Sequence, residues 1–151
     1  MATLTINGKE LEGKCTFLFD TKADEKYNEP DAKGNKAGGF LSIYSKLQSD
    51  DFQGVLAFWD CAAANYGKDR PTVLEIQNTL QELIDDEEAD TDKLFSDAFK
   101  AVHNSGFYKK KARKYWERIE KMKNMGETKE EKQQNKEALQ TMIEKRDELL
   151  E

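Results

Sequence analysis

Residues 39–67 read GFLSIYSKLQSDDFQGVLAFWDCAAANYG, and the spacing of their apolar side chains decides the fold. Phe40, Ile43, Tyr44 and Leu47 recur at intervals of three and four, as do Phe52, Val55, Leu56, Trp59, Ala62, Ala63 and Tyr66. A 3.6-residue turn brings such positions onto one face, so the stretch predicts two amphipathic helices parted near Ser49 and Asp50. Gly67 is expected to end the second. Pro71 is expected to open a third helix, at a position where its missing N–H costs nothing.

The same period runs on toward the C-terminus. Val73, Ile76, Leu80, Leu83 and Ile84 mark the third stripe. Leu94, Phe95, Ala98, Phe99 and Val102 mark a fourth, with Asp90 or Thr91 as its cap and Ser105-Gly106 as its break. Tyr108, Ala112, Tyr115, Trp116, Ile119 and Met122 mark a fifth. Beyond Gly126 the chain is dominated by Glu, Lys and Gln, and apolar residues return as a stripe only at Leu139, Met142, Ile143, Leu149 and Leu150. That helix has little to hold it alone.

Toward the N-terminus the pattern changes. Thr3-Leu4-Thr5-Ile6 alternates and runs into Asn7-Gly8, a strong hairpin signal because both turn positions need positive φ. Pairing across the turn sets Leu4 opposite Leu11, and a period of two then places Ile6, Leu11, Cys15, Phe17 and Phe19 on one face. A short helix is compatible with Asp20 to Tyr27, and Asn28 to Gly39, with Pro30 and three glycines among charged residues, reads as a mobile loop. The expected fold is mainly α: five to six helices in one domain, with a short N-terminal β-hairpin. Residues 1–125 form its body and 126–151 a weakly held helical extension.

Of the 151 residues, 37% are apolar and 36% charged, which suits one economical core and no second domain. No apolar run reaches membrane-spanning length and the N-terminus lacks a signal-peptide layout, so the expected location is the cytoplasm, with no membrane partner. Cys15 and Cys61 lie far apart with no metal-binding or redox spacing and read as reduced thiols. A lone histidine, His103, suits a helix end or the surface better than general acid–base work. With no nucleophile, zinc, dinucleotide or phosphate-loop motif, the chain reads as a non-enzyme that needs no cofactor or metal.

Two runs of charge remain. Asp85, Asp86, Glu87 and Glu88, continued by Asp90 and Asp92, lack the alternation and central glycine of a calcium loop and read as a solvated helix exit. Residues 109–123 carry eight basic side chains, among them Lys109, Lys110, Lys111 and Arg113, against Glu117 and Glu120. Basic residues interleaved with Tyr115 and Trp116 suit single-stranded nucleic acid, but those aromatics lie on the packing stripe, and a net charge of -6 repels phosphate at long range. The two runs either pair within the chain or associate head to tail between copies, making a homo-oligomer.

Several phrases occur together: Leu4-Thr5-Ile6-Asn7-Gly8-Lys9, Gly38-Gly39-Phe40-Leu41-Ser42-Ile43-Tyr44, Arg70-Pro71-Thr72, and Asn104-Ser105-Gly106-Phe107-Tyr108-Lys109-Lys110 with Tyr115-Trp116. In this order they resemble tail assembly chaperones of long-tailed bacteriophages (siphoviruses) and prophages of Gram-positive bacteria, over about residues 1 to 120. The resemblance implies a helical host-cytoplasm protein, absent from the mature virion, that binds the tape measure protein, keeps it soluble and helps recruit the major tail tube protein. It also implies self-association and, in many members, a longer frameshifted form. A partner of that kind calls for surfaces that accept amphipathic helices. The candidates are Phe107, Tyr108, Tyr115, Trp116 and Ile119, with Leu139 and Met142 as a second surface; each also suits the core. The alternatives are a nucleic-acid-binding accessory protein and a structural tail component.

Overall fold

Asn7 and Gly8 take φ of 51° and 78°, so strand β1 (Thr3–Ile6) folds straight back on β2 (Lys9–Glu12) with Leu4 opposite Leu11. The computed structural model in which this is seen describes residues 1–151. Leu4, Ile6 and Leu11 are buried, and β1 rests on a helix further along the chain, which supplies the support an isolated hairpin needs. The Tyr66 hydroxyl accepts the Glu12 N–H at 2.7 Å and closes the ribbon's end.

The hairpin face does not continue to Phe19 as its alternation predicts. Thr16 is extended and its hydroxyl accepts the Phe19 N–H at 3.2 Å, which starts helix α1 (Phe17–Lys26) three residues earlier than the sequence suggests. Phe17 and Phe19 therefore diverge: Phe19 enters the core while Phe17 is 81% exposed. With α1 counted in full there are seven α-helices, one or two more than expected, and 66% of the chain is helical.

Between α1 and α2 (Gly39–Gln48) the chain is a loop, but a hydrogen-bonded one. Asp31 accepts from the N–H groups of Lys33 and Asn35, and Asn28 accepts from Gly38. The Gly39 N–H is received by Asp24 at 2.9 Å, and a β-carbon on Gly39 would lie 2.2 Å from the backbone of Ala23. Only glycine lets α1 and α2 approach so closely.

Helix α3 (Phe52–Ala63) is the centre. Nine of its twelve residues are buried and it touches α1, α2, the fourth helix and the fifth. Full burial of a side chain such as Phe58 contributes about 1.5–3 kcal/mol, so this helix carries much of the hydrophobic stabilisation. It ends at Ala63 and not at Gly67: a 3₁₀ segment (Ala64–Asp69) follows, and Gly67 sits inside it at φ 57°. Pro71 lies outside the next helix, α4 (Val73–Asp85), whose cap is Thr72. The Thr72 hydroxyl accepts the Glu75 N–H while the Glu75 carboxylate accepts the Thr72 N–H, a reciprocal capping box.

Helix α5 (Thr91–His103) is capped by Asp90, as read from the sequence, and ends with Asn104 as its C-cap just before Ser105-Gly106. Helices α6 (Lys109–Met122) and α7 (Lys129–Leu150) complete the chain. α7 lies across α2, α5 and α6, yet of its 22 residues only Leu139, Ile143 and Leu149 are buried. Its N-terminal ten residues are almost wholly in solvent.

Candidate protein-binding surface

The buried polar contacts decide which aromatic side chains are free to meet a partner. Tyr108 is fully buried and donates its hydroxyl proton to Asp20 on α1 at 2.6 Å. Burial, reinforced by that carboxylate, pushes the Tyr108 phenol well above its ordinary value, so it stays neutral. The Trp116 indole N–H, also buried, donates to the Tyr44 hydroxyl at 2.7 Å, and the same hydroxyl lies 2.7 Å from Nδ1 of His103. An indole can only donate, so the phenol accepts from Trp116 and is free to pass its own proton to Nδ1. That order wants a neutral imidazole. Burial and the nearby Arg146 both lower the His103 pKa and favour the same state. His103 thus stands at the end of α5, as its position suggested, but half-buried there as a joint linking α2, α5 and α6.

Arg146 of α7 stacks its guanidinium 4.7 Å from the centre of the Trp116 ring. Ile119 is buried on α6 and Leu139 on α7, two helices that pack together. Tyr115 and Met142 are half-buried and line one cleft of about 350 Å³ beside α7. Tyr108, Trp116, Ile119 and Leu139 are therefore held inside, whereas Phe107, Tyr115 and Met142 keep part of their surface open.

Phe107 belongs to a different place. Its ring meets Phe17 edge-on at 5.1 Å, and with Leu18, 57% exposed, these side chains make an apolar patch where the α5–α6 turn meets the start of α1. The sequence had placed Phe17 on the hairpin and so hid this patch. Around the corner, Phe40, Leu41 and Tyr115 line a hollow of about 240 Å³ rimmed by Lys111, Lys114 and Arg118. An apolar floor with a cationic rim suits an amphipathic helix carrying acidic flanks.

Lys109, Lys110, Lys111 and Arg113 are exposed on α6, and Asp85, Asp86, Glu87 and Glu88 are exposed around the end of α4. No ion pair joins the two runs within the chain. The one buried carboxylate, which is paired internally, is one the sequence reading passed over. Asp60, buried in α3, receives Lys22 at 2.9 Å, Lys26 at 2.7 Å and the Tyr27 hydroxyl at 2.5 Å. Burial alone would raise its pKa, but the hydrogen bonds from Lys26, Tyr27 and Lys22 outweigh burial and hold it below the usual value. A single carboxylate in an otherwise uncharged helix was the available signal, and Lys22 and Lys26, one turn apart on α1, are its answer.

Burial raises the Cys15 thiol to about 12, and Cys61 is raised too, so both stay protonated and neither forms a disulfide. No cluster of three His, Cys, Asp or Glu is placed to hold a metal ion, and no helix is long and apolar enough to cross a membrane. What the architecture defines is a small α-helical protein whose buried polar groups tie helices together and whose surface carries apolar and basic ground. Residues 3–117 match the family model described as phage tail assembly chaperone protein, TAC, and the chain belongs to that family. No curated protein and no solved structure matches it. The family is of a non-catalytic kind.

Proposed function

We propose that this chain binds the tape measure protein of its phage, keeps it soluble, and helps recruit major tail tube subunits around it, without catalysing a reaction. Family membership over residues 3–117 carries this reading. The apolar patch at Phe17, Leu18 and Phe107 and the basic-rimmed hollow at Phe40 and Tyr115 add physical support, because a long helical client offers amphipathic faces to both. The chain acts in the cytoplasm of a Gram-positive host and leaves before the virion is finished. The acidic run at Asp85–Glu88 and the basic run at Lys109–Arg113, which do not pair with each other, favour head-to-tail contact between copies, which would line several chaperones along one client.

Co-expression with the tape measure protein, followed by solubility and pull-down measurements, tests the reading. The expected result is a soluble tape measure that co-purifies with this chain. An insoluble, unbound tape measure beside a folded chain would overturn it. The exposed lysines of α6 and the half-buried Tyr115 beside them favour nucleic acid, but Tyr108 and Trp116 are buried and unavailable to stack on bases. Binding to single-stranded DNA that collapses between 50 and 200 mM salt would favour that alternative. A structural tail component would instead appear in stoichiometric amount when purified virions are analysed by mass spectrometry.

A further inference from the structure

We propose that α7 is the resident occupant of a helix-binding groove walled by α2, α5 and α6, and that an amphipathic helix of the client takes its place. The proposal rests on the chaperone reading above and assigns the groove as the place where that client docks.

Four observations point to a replaceable occupant. First, α7 fills its seat poorly: a cleft of about 460 Å³ opens on one flank between Arg113, Trp116 and Arg146, and one of about 350 Å³ on the other between Gln48, Tyr115 and Met142. A helix with larger side chains along its inner stripe would fill the second, whereas the first is lined by charged and polar groups apart from Trp116 and suits a polar flank. Second, beside side-chain contacts such as Lys145–Asp50 and Arg146 over Trp116, the walls hold α7 by its backbone. Gln48 donates to the Met142 carbonyl at 2.6 Å, Ser96 to that of Leu149 at 2.7 Å, and Lys100 to that of Glu151 at 2.5 Å. Bonds to main-chain oxygens do not depend on which side chains the helix carries, and the last two satisfy the carbonyls that any helix end leaves open.

Third, Gln48 is only 9% exposed and its side-chain oxygen has no partner. A buried amide left half-satisfied is costly, and a Ser, Gln or Lys side chain on another helix could complete it. Fourth, the family region ends at residue 117, so it includes α2, α5 and the first two turns of α6 but stops before α7. Most of the groove walls, all but the last turn of α6, thus lie within the family region, and their occupant lies outside it. The client helix this selects has aromatic or long aliphatic residues at three-and-four spacing and one hydrogen-bond donor among them.

The test uses the full chain carrying Leu139→Asp and Ile143→Asp, which undocks α7, and a fluorescent peptide of residues 136–151. The peptide is expected to bind this variant at least tenfold more tightly than the wild type, and synthetic helical segments of the tape measure protein are expected to displace it. A peptide that binds neither protein overturns the proposal. If tape measure segments bind but do not compete, the groove assignment fails while the chaperone reading stands. If the peptide binds and no segment binds at all, the chaperone reading fails and takes the proposal with it. Exchange of α7 between copies, seen as a wild-type dimer, would make a second copy the occupant and would also overturn it. Should the variant not fold, amide hydrogen exchange on the wild type decides: residues 139–150 should exchange at least tenfold faster than α3, and equal rates would make α7 an integral part of the core.

Discussion

Helices α3 and α7 each rest on several neighbours, yet they are held in opposite ways. α3 hides nine of twelve residues, and its one carboxylate, Asp60, is met by three donors. α7 hides three of twenty-two and is secured by that thin stripe, by side chains from other helices that reach its carbonyls, and by half-exposed contacts such as Lys145–Asp50 and Arg146 over Trp116. Shape-matched side chains specify one helix in one place, whereas backbone bonds and a thin apolar stripe specify only that some helix lies there. The first arrangement builds a fold and the second builds a seat.

The contrast can be broken most forcefully at α3. Phe58→Ala should cost about 3–5 kcal/mol in urea denaturation, because the fully buried ring leaves a cavity among well-packed neighbours; a loss below about 1 kcal/mol would deny α3 its central role. Asp60→Ala should cost about 2 kcal/mol, less than for a wholly buried pair since Lys22 and Lys26 remain partly in water. Its acid behaviour is a separate check. The Asp60 carboxyl is lowered in the folded chain, so its stabilisation is present above its ordinary 3.8 and is lost as pH falls through the folded value. Asp60→Asn should therefore flatten the acid limb of stability against pH.

Paired isoleucines sharpen the comparison further. Ile76→Ala on α4 should cost about 2–5 kcal/mol in global stability, whereas Ile143→Ala on α7 should shift the global transition by about 1 kcal/mol or less and mainly speed amide exchange in α7. Similar global losses would show one cooperative unit. The smallest effect expected is at His103. Its folded pKa lies below the ordinary 6.5, so the neutral form's contribution is complete above pH 6.5 and declines as pH falls toward the folded value. Unfolding measured from pH 7.5 to 5.5 should show this decline in the wild type and not in His103→Gln.

The helix stripes were readable because period 3.6 reports the buried face directly, as at Phe40, Ile43, Tyr44 and Leu47, and the hairpin register followed from Asn7-Gly8. Where two periods compete over a few residues, reading failed: Cys15-Thr16-Phe17-Leu18-Phe19 alternates like a strand, and only the Thr16 hydroxyl, acting as a cap, decides for helix. Pro71 drew attention from the Thr72-x-x-Glu75 box one residue later. Buried polar joints were the least legible, since Tyr44, His103 and Trp116 stand 59 and 72 positions apart and no local pattern announces them. The same limit hid which aromatics reach the surface: periodicity gives the stripe, but only the neighbours show that Tyr108 is sealed and Phe107 is not.

The chain's two tryptophans divide between the regions just compared, with Trp59 inside α3 and Trp116 beneath Arg146 of α7. Their emission therefore reports from two places at once. Trp59 should redden only when the whole molecule melts, and Trp116 should respond as soon as its guanidinium lid lifts. Replacing either by Phe turns the remaining one into a private optical gauge of its own region, without an external dye.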